Sequence, residues 1–201
     1  MVYFVTALPF ESRAIFHFWG KAVLVQQQGS MRLVELAPGI RLVEVGLGVE
    51  DAEVVSRWWA EIPPQVVVNV GISGALVKRF SLGDLVLVWE SCNEEGESIV
   101  LASLPGFNLP KETQVTVSAP VEAEERARRL HRRTGAGLVD MELFTIARYL
   151  YSQHRAPLYS IRVVSDFADS HAQQIIRSNL PLLRQRLRQA VNMFRTKILP
   201  E

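Results

Sequence analysis

Leu138-Val139-Asp140-Met141-Glu142 leads into an apolar-periodic helix, and Pro157-Leu158-Tyr159-Ser160-Ile161-Arg162-Val163-Val164-Ser165-Asp166 reads as a buried strand running out into Ser165-Asp166. A carboxylate in the first turn of a helix and another at the end of a buried strand stand where α/β folds place reacting groups.

Outward from this pair the same alternation recurs. Residues 2–8 form a continuous apolar run with β-branched and aromatic members, hence a buried strand. Pro9-Phe10-Glu11-Ser12 ends it before a short helix through Ile15, Phe16 and Trp19, so Glu11 falls just past a strand end. Residues 23–27, 31–37 and 41–45 read as antiparallel strands divided by Gln28-Gly29-Ser30 and Pro38-Gly39. Gly46-Leu47-Gly48 then opens a helix over about residues 49–61, whose early acids Glu50, Asp51 and Glu53 suit its positive end. Val66-Val67-Val68-Asn69-Val70 is a second buried strand, followed at once by Gly71-Ile72-Ser73-Gly74 as a tight, backbone-exposing turn. Further strands are predicted over residues 85–89, 98–101 and 115–118, and a helix from Pro120 to about Thr134. A last helix over residues 180–198 carries Leu180, Leu183, Leu187, Val191 and Phe194 as an apolar stripe. Buried strands alternating with helices predict one α/β domain, residues 1–201, with a mixed sheet between helix layers.

Composition narrows the function. The chain is 48% apolar and 21% charged, the balance of a soluble globular protein, and its net charge of +1 leaves no footprint for a nucleic-acid or membrane partner. The single cysteine, Cys92, excludes an internal disulfide and a multi-cysteine metal site and favours a cytoplasmic setting. The start, Met1-Val2-Tyr3-Phe4, lacks the basic flank of a signal peptide, and no apolar run approaches the roughly 20 residues that cross a bilayer. His17, His131, His154 and His171 have no metal-ligand spacing, so no metal is expected. Gly46-Leu47-Gly48 lacks the third glycine and the downstream acid of a dinucleotide fingerprint. Arg126, Arg129 and Arg133 follow Glu122, Glu124 and Glu125 and read as a solvated helix face. Trp58-Trp59 reads either as core or as a contact between copies.

The set Ala7-Leu8-Pro9-Phe10-Glu11, Gly46-Leu47-Gly48, Asn69-Val70-Gly71-Ile72-Ser73-Gly74-Ala75-Leu76 with Leu82-Gly83-Asp84, Val139-Asp140-Met141-Glu142 and Ile161-Arg162-Val163-Val164-Ser165-Asp166 resembles the nucleoside phosphorylase superfamily. The nearest branch by these motifs is that of the methylthioadenosine/S-adenosylhomocysteine nucleosidases. Leu130-His131-Arg132-Arg133-Thr134-Gly135-Ala136 is also similar to a hopanoid-associated branch, whose substrate is an adenosylated lipid. The resemblance implies a three-layer sandwich with a central mixed, partly barrel-like sheet flanked by helices. It also implies a small-molecule nucleoside substrate, no cofactor, and a homodimer.

Roles carry over residue by residue. Asp166 matches the acid that protonates the purine as the glycosidic bond breaks, with Ser165 beside it. Glu142 matches the carboxylate that holds the ribose hydroxyls, and Met141 the side chain that packs on the sugar. Glu11 matches the acid that activates the attacking water. Gly71, Ile72, Ser73 and Gly74 would line the sugar or anion site. The chemistry fits this division: base departure builds positive charge on the sugar and negative charge on the base, so a carboxylate near one and a proton donor near the other stabilise the transition state.

Two departures bear on the reaction. Phosphorylases of the superfamily bring arginines to phosphate at the glycine turn, and Gly71-Ile72-Ser73-Gly74 has none beside it, with Arg79 a few residues on. With Glu11 present, hydrolysis is expected, phosphorolysis being the alternative. The base-stacking segment of the typical nucleosidases is absent, because Ser118 passes directly to Pro120. A nucleoside-binding relative without chemistry is the rival of a different class.

Overall fold

The computed structural model describes residues 1–20, 22–49, 51–103 and 106–198. In chain order its elements are β1 (Val2–Thr6), α1 (Pro9–Trp19), β2 (Val23–Gln28), β3 (Met31–Ala37), β4 (Ile40–Glu44), α2 (Ala52–Glu61), β5 (Val66–Ala75), β6 (Leu85–Asn93), β7 (Ser98–Val100), β8 (Lys111–Thr116), α3 (Glu124–Thr134), β9 (Leu138–Asp140), α4 (Leu143–Gln153), β10 (Leu158–Asp166), α5 (Ala172–Ser178) and α6 (Leu180–Ile198). Glu50, one of the acids expected at the start of α2, lies outside the described residues. Asp51 caps that helix by accepting from the Glu53 and Val54 amides at 3.0 and 3.3 Å.

The sheet is organised by β5. Its first half lies between β1 and β10, both parallel to it, and its last two residues pair with β9, which runs antiparallel. The pairings β5–β10, β10–β6, β6–β8, β8–β9 and β9–β5 close a five-stranded barrel, while β1, β4, β3 and β2 extend from β5 as an open wing. The mixed, partly barrel-like sheet between helices is thus the architecture found. The glycine stretch 71–74, expected as a tight turn, is instead strand. Gly71 and Gly74 are needed there for close approach and not for a turn: a Cβ at Gly71 would overlap the Arg162 guanidinium and lie 2.9 Å from Glu11 Oε1, and one at Gly74 would lie 2.8 Å from Asp166 Oδ1.

Helices cover the sheet on several sides. Ala14 and Ile15 of α1 and Leu183, Leu187, Val191 and Phe194 of α6 bury against Phe4, Val68, Val70, Ile161 and Val163. On another face, Val54 and Trp58 of α2 and Leu143, Ile146 and Leu150 of α4 pack on Val5, Val43 and Val67. Trp58 and Trp59 are both core. A third cluster seats Ala127 and Leu130 of α3 on Val115 and Val139, leaving Arg129 and Arg133 in solvent. The helix expected from Pro120 begins only at Glu124, because residues 117–122 run along a cavity wall instead. The short α5, with no fully buried residue, has no counterpart in the predicted elements.

Across the barrel, Arg162 of β10 meets Asp140 of β9 with Nη2 to Oδ2 at 2.5 Å, both side chains 2% exposed. Asp140 also accepts from Thr116 Oγ1 at 2.6 Å and from the Leu143 amide at 2.9 Å, which anchors the start of α4. Removing one member of such a pair strands a buried charge. Asp140→Ala should therefore cost about 3 to 5 kcal/mol of stability, and pairing Asp140→Leu with Arg162→Met should recover most of it, as read by denaturant unfolding.

Candidate active site

The carboxyl ends of β1, β5 and β10 open on one cavity of about 210 Å³. Leu8, Glu11, Leu47, Ile72, Ser73, Gly74, Met141, Glu142, Ser165 and Asp166 line it. Of the residues singled out from sequence, all but Gly71 reach the cavity; Gly71 lies beneath it, under Arg162 and Glu11. Met141 and Glu142 arrive by another route than the other lining residues named. They follow the antiparallel β9, whereas Glu11, the glycine stretch and Asp166 come from parallel strand ends.

Glu11 sits in the first turn of α1 and folds back on the strand ends. Its Oε2 accepts from the Ala7 and Leu8 amides, each at 2.9 Å, and its Oε1 from the Ile72 amide at 2.9 Å. A carboxylate has about four lone-pair sites. Three are taken by backbone, leaving one, on Oε1, for another donor. Burial raises the Glu11 pKa, against the pull of the Leu8 and Ile72 amides and of the Arg162 charge.

Glu142 precedes α4, and its Oε1 accepts from the Gly48 amide at 3.0 Å. The loop that supplies this amide is bent through the left-handed region at Gly46, Gly48 and even Val49, with φ of 75°, 72° and 57°. A β-branched residue there is strained, and such strain gathers at functional sites. Burial first, and then the charge of Asp140, push the Glu142 pKa up to about 7.

Asp166 closes β10 after a bulge between Val164 and Asp166, a device that re-aims a side chain at a sheet edge. Ser165 Oγ donates to its Oδ2 at 2.6 Å and the Ala168 amide to its Oδ1 at 2.9 Å. Ala168 turns through φ 51° to present that amide.

Beyond Asp166 the cavity continues between Val117, Pro120 and Val121 on one wall and Ala168, Ala172 and Ile176 on the other, with Glu122 and Gln173 hydrogen-bonded at 3.1 Å at the rim. These residues were not foreseen. The sequence reads as a strand over residues 115–118 and as a helix from Pro120, which leaves no room for a cavity wall there, and α5 carries no apolar stripe strong enough to announce it. Arg162 was missed as well: an arginine does lie against Gly71, but it is held by Asp140 below the cavity and does not line it. Arg79 is 62% exposed and pairs with Glu112 away from the cavity. Among the described residues no cluster of histidine, cysteine or acids could hold a metal, and no helix is long and apolar enough to cross a membrane.

The sequence matches no protein-family model and no curated protein. Solved structures do match the fold. A 5′-methylthioadenosine/S-adenosylhomocysteine nucleosidase from Neisseria meningitidis, in complex with methylthio-immucillin-A, has a TM-score of 0.84 at 20% identity, covering 97% of this chain and 98% of the other. The Helicobacter pylori futalosine hydrolase has a TM-score of 0.83 at 15% identity, covering 98% and 96%. A mutant H. pylori methylthioadenosine nucleosidase with 5′-methylthioadenosine in its active site has a TM-score of 0.83 at 14% identity, covering 98% and 97%. This is the fold that the motif resemblance implied.

A carboxyl whose folded pKa is raised holds its proton more tightly than in the unfolded chain. Its contribution is therefore lost as pH climbs from the ordinary 4.5 through the folded value of about 7. Glu142→Gln should be about as stable as the parent at pH 5 and more stable at pH 8, by on the order of 3 kcal/mol, as read by denaturant unfolding. Equal stability of the two proteins at both pH values would show that the folded Glu142 titrates normally.

Proposed function

We propose that the chain hydrolyses the N-glycosidic bond of a purine nucleoside of adenosine type. The observation that carries this reading is the convergence of Glu11, Glu142 and Asp166, from three distant segments, on one largely apolar cavity. The fold shared with nucleosidases supports it.

In this reading the base lies in the slot between residues 117–122 and 168–176, with Asp166 at the mouth of the sugar site. Asp166 donates a proton to the departing base, and the neighbouring Ser165 hydroxyl and Ala168 amide steady its position. Glu142 takes the sugar hydroxyls, and its charge offsets the positive charge growing on the ribose. Glu11 orients and deprotonates water through the one lone pair that its three amide partners leave free. Water is favoured over phosphate because among the described residues no lysine or arginine lines the cavity, and Arg162 is engaged by Asp140.

The test is release of free base from a nucleoside panel with and without phosphate. Release without phosphate is expected; release only with phosphate would replace hydrolysis by phosphorolysis, and binding without release would leave a binding protein. Asp166→Asn should slow release by about 10²- to 10⁴-fold. Since Glu142 must be charged to act on the sugar, kcat/KM should rise with pH through about 7, the value to which its pKa is pushed.

A further inference from the structure

We propose that Gln114 is a positioning residue that fixes the hydroxyl of Ser73 as a hydrogen-bond acceptor for one hydroxyl of the sugar. The proposal rests on the nucleosidase reading of the cavity. Ser73 of β5 lines the cavity and is 2% exposed; its Oγ donates to Gln114 Oε1 of β8 at 2.7 Å, and Gln114 is wholly buried. A hydroxyl has one proton. With that proton committed to Gln114, the Ser73 hydroxyl has only lone pairs left for any other partner and can accept but not donate.

The fold gives no reason of its own for this glutamine. Its Nε2 is buried and has no hydrogen-bond partner among the described residues. A buried amide with one orphaned end is worse for stability than an apolar side chain of the same shape. Gln114 is wholly buried and does not line the cavity, so what it gives is the direction of the Ser73 hydroxyl. An acceptor aimed at a ribose hydroxyl suits a sugar that becomes positive in the transition state. The effect should accordingly fall mainly on kcat.

The experiment compares the parent, Gln114→Met and Ser73→Ala on adenosine and its 2′-, 3′- and 5′-deoxy analogues, following adenine release together with calorimetric binding. On adenosine, Gln114→Met should lower kcat about tenfold, the worth of roughly one hydrogen bond. On the one deoxy analogue that lacks the hydroxyl read by Ser73, the loss should vanish, and Ser73→Ala should show the same pattern. The melting temperature of Gln114→Met should equal or exceed that of the parent. A loss of equal size on all four nucleosides, or a variant that melts lower, would make Gln114 a structural residue and overturn the proposal while leaving hydrolysis standing. Should the parent bind nucleosides but release no base, the hydrolytic reading falls; the same pattern in binding affinities then upholds the proposal and its absence overturns it. A parent that neither binds nor cleaves any of the four ends both.

Discussion

One ion pair sets the interior. Arg162 and Asp140 stand on the two strands that pair with β5 around its glycines, and the missing side chain at Gly71 is the gap through which the guanidinium reaches its partner. Taking both charges out of water is costly and is offset only by close geometry and by the further hydrogen bonds that Asp140 accepts from Thr116 and Leu143. The same arginine lies within electrostatic reach of Glu11 and Glu142. It is a cation shared by three buried acids, and the site's charge balance depends on where it is held.

That balance explains why the acids differ in environment despite lining one cavity. Glu11 is stabilised by three amides and opposed by burial; Glu142 has one close amide and the charge of Asp140 against it. Asp166 is held instead by a hydroxyl and an amide, with its carboxylate against Gly74. Carboxyl groups in unlike surroundings can hold unlike roles at a single pH, which is what a reaction needing a proton donor at the base and negative charge at the sugar requires.

Much of this was legible in the sequence, for a physical reason. Acids that follow apolar runs mark strand ends, and strand ends in parallel sheets converge, so Glu11 and Asp166 could be placed together before any coordinates. The glycines at 71 and 74 were legible as special but misread, because local pattern cannot distinguish a glycine that bends the chain from one that admits a neighbour's side chain. Arg162 looked like an ordinary strand residue, since its partner Asp140 becomes visible only when β9 and β10 are brought to either side of β5. The wall 117–122 was hidden by Ser118-Ala119-Pro120, a good helix-start signal that tertiary context overrides, and Gln114 by a strand that carries it inward.

The sharing of β5 between barrel and wing has a consequence for the order of assembly. Its neighbours β1, β10 and β9 come from both ends of the chain, and such distant pairings form slowly because loop-closure entropy must be overcome first. β10 comes after every other described strand in chain order, and without it neither the ring nor the Arg162 contact exists. A nascent polypeptide on the ribosome therefore has the strands of its wing in hand while its cavity is still missing.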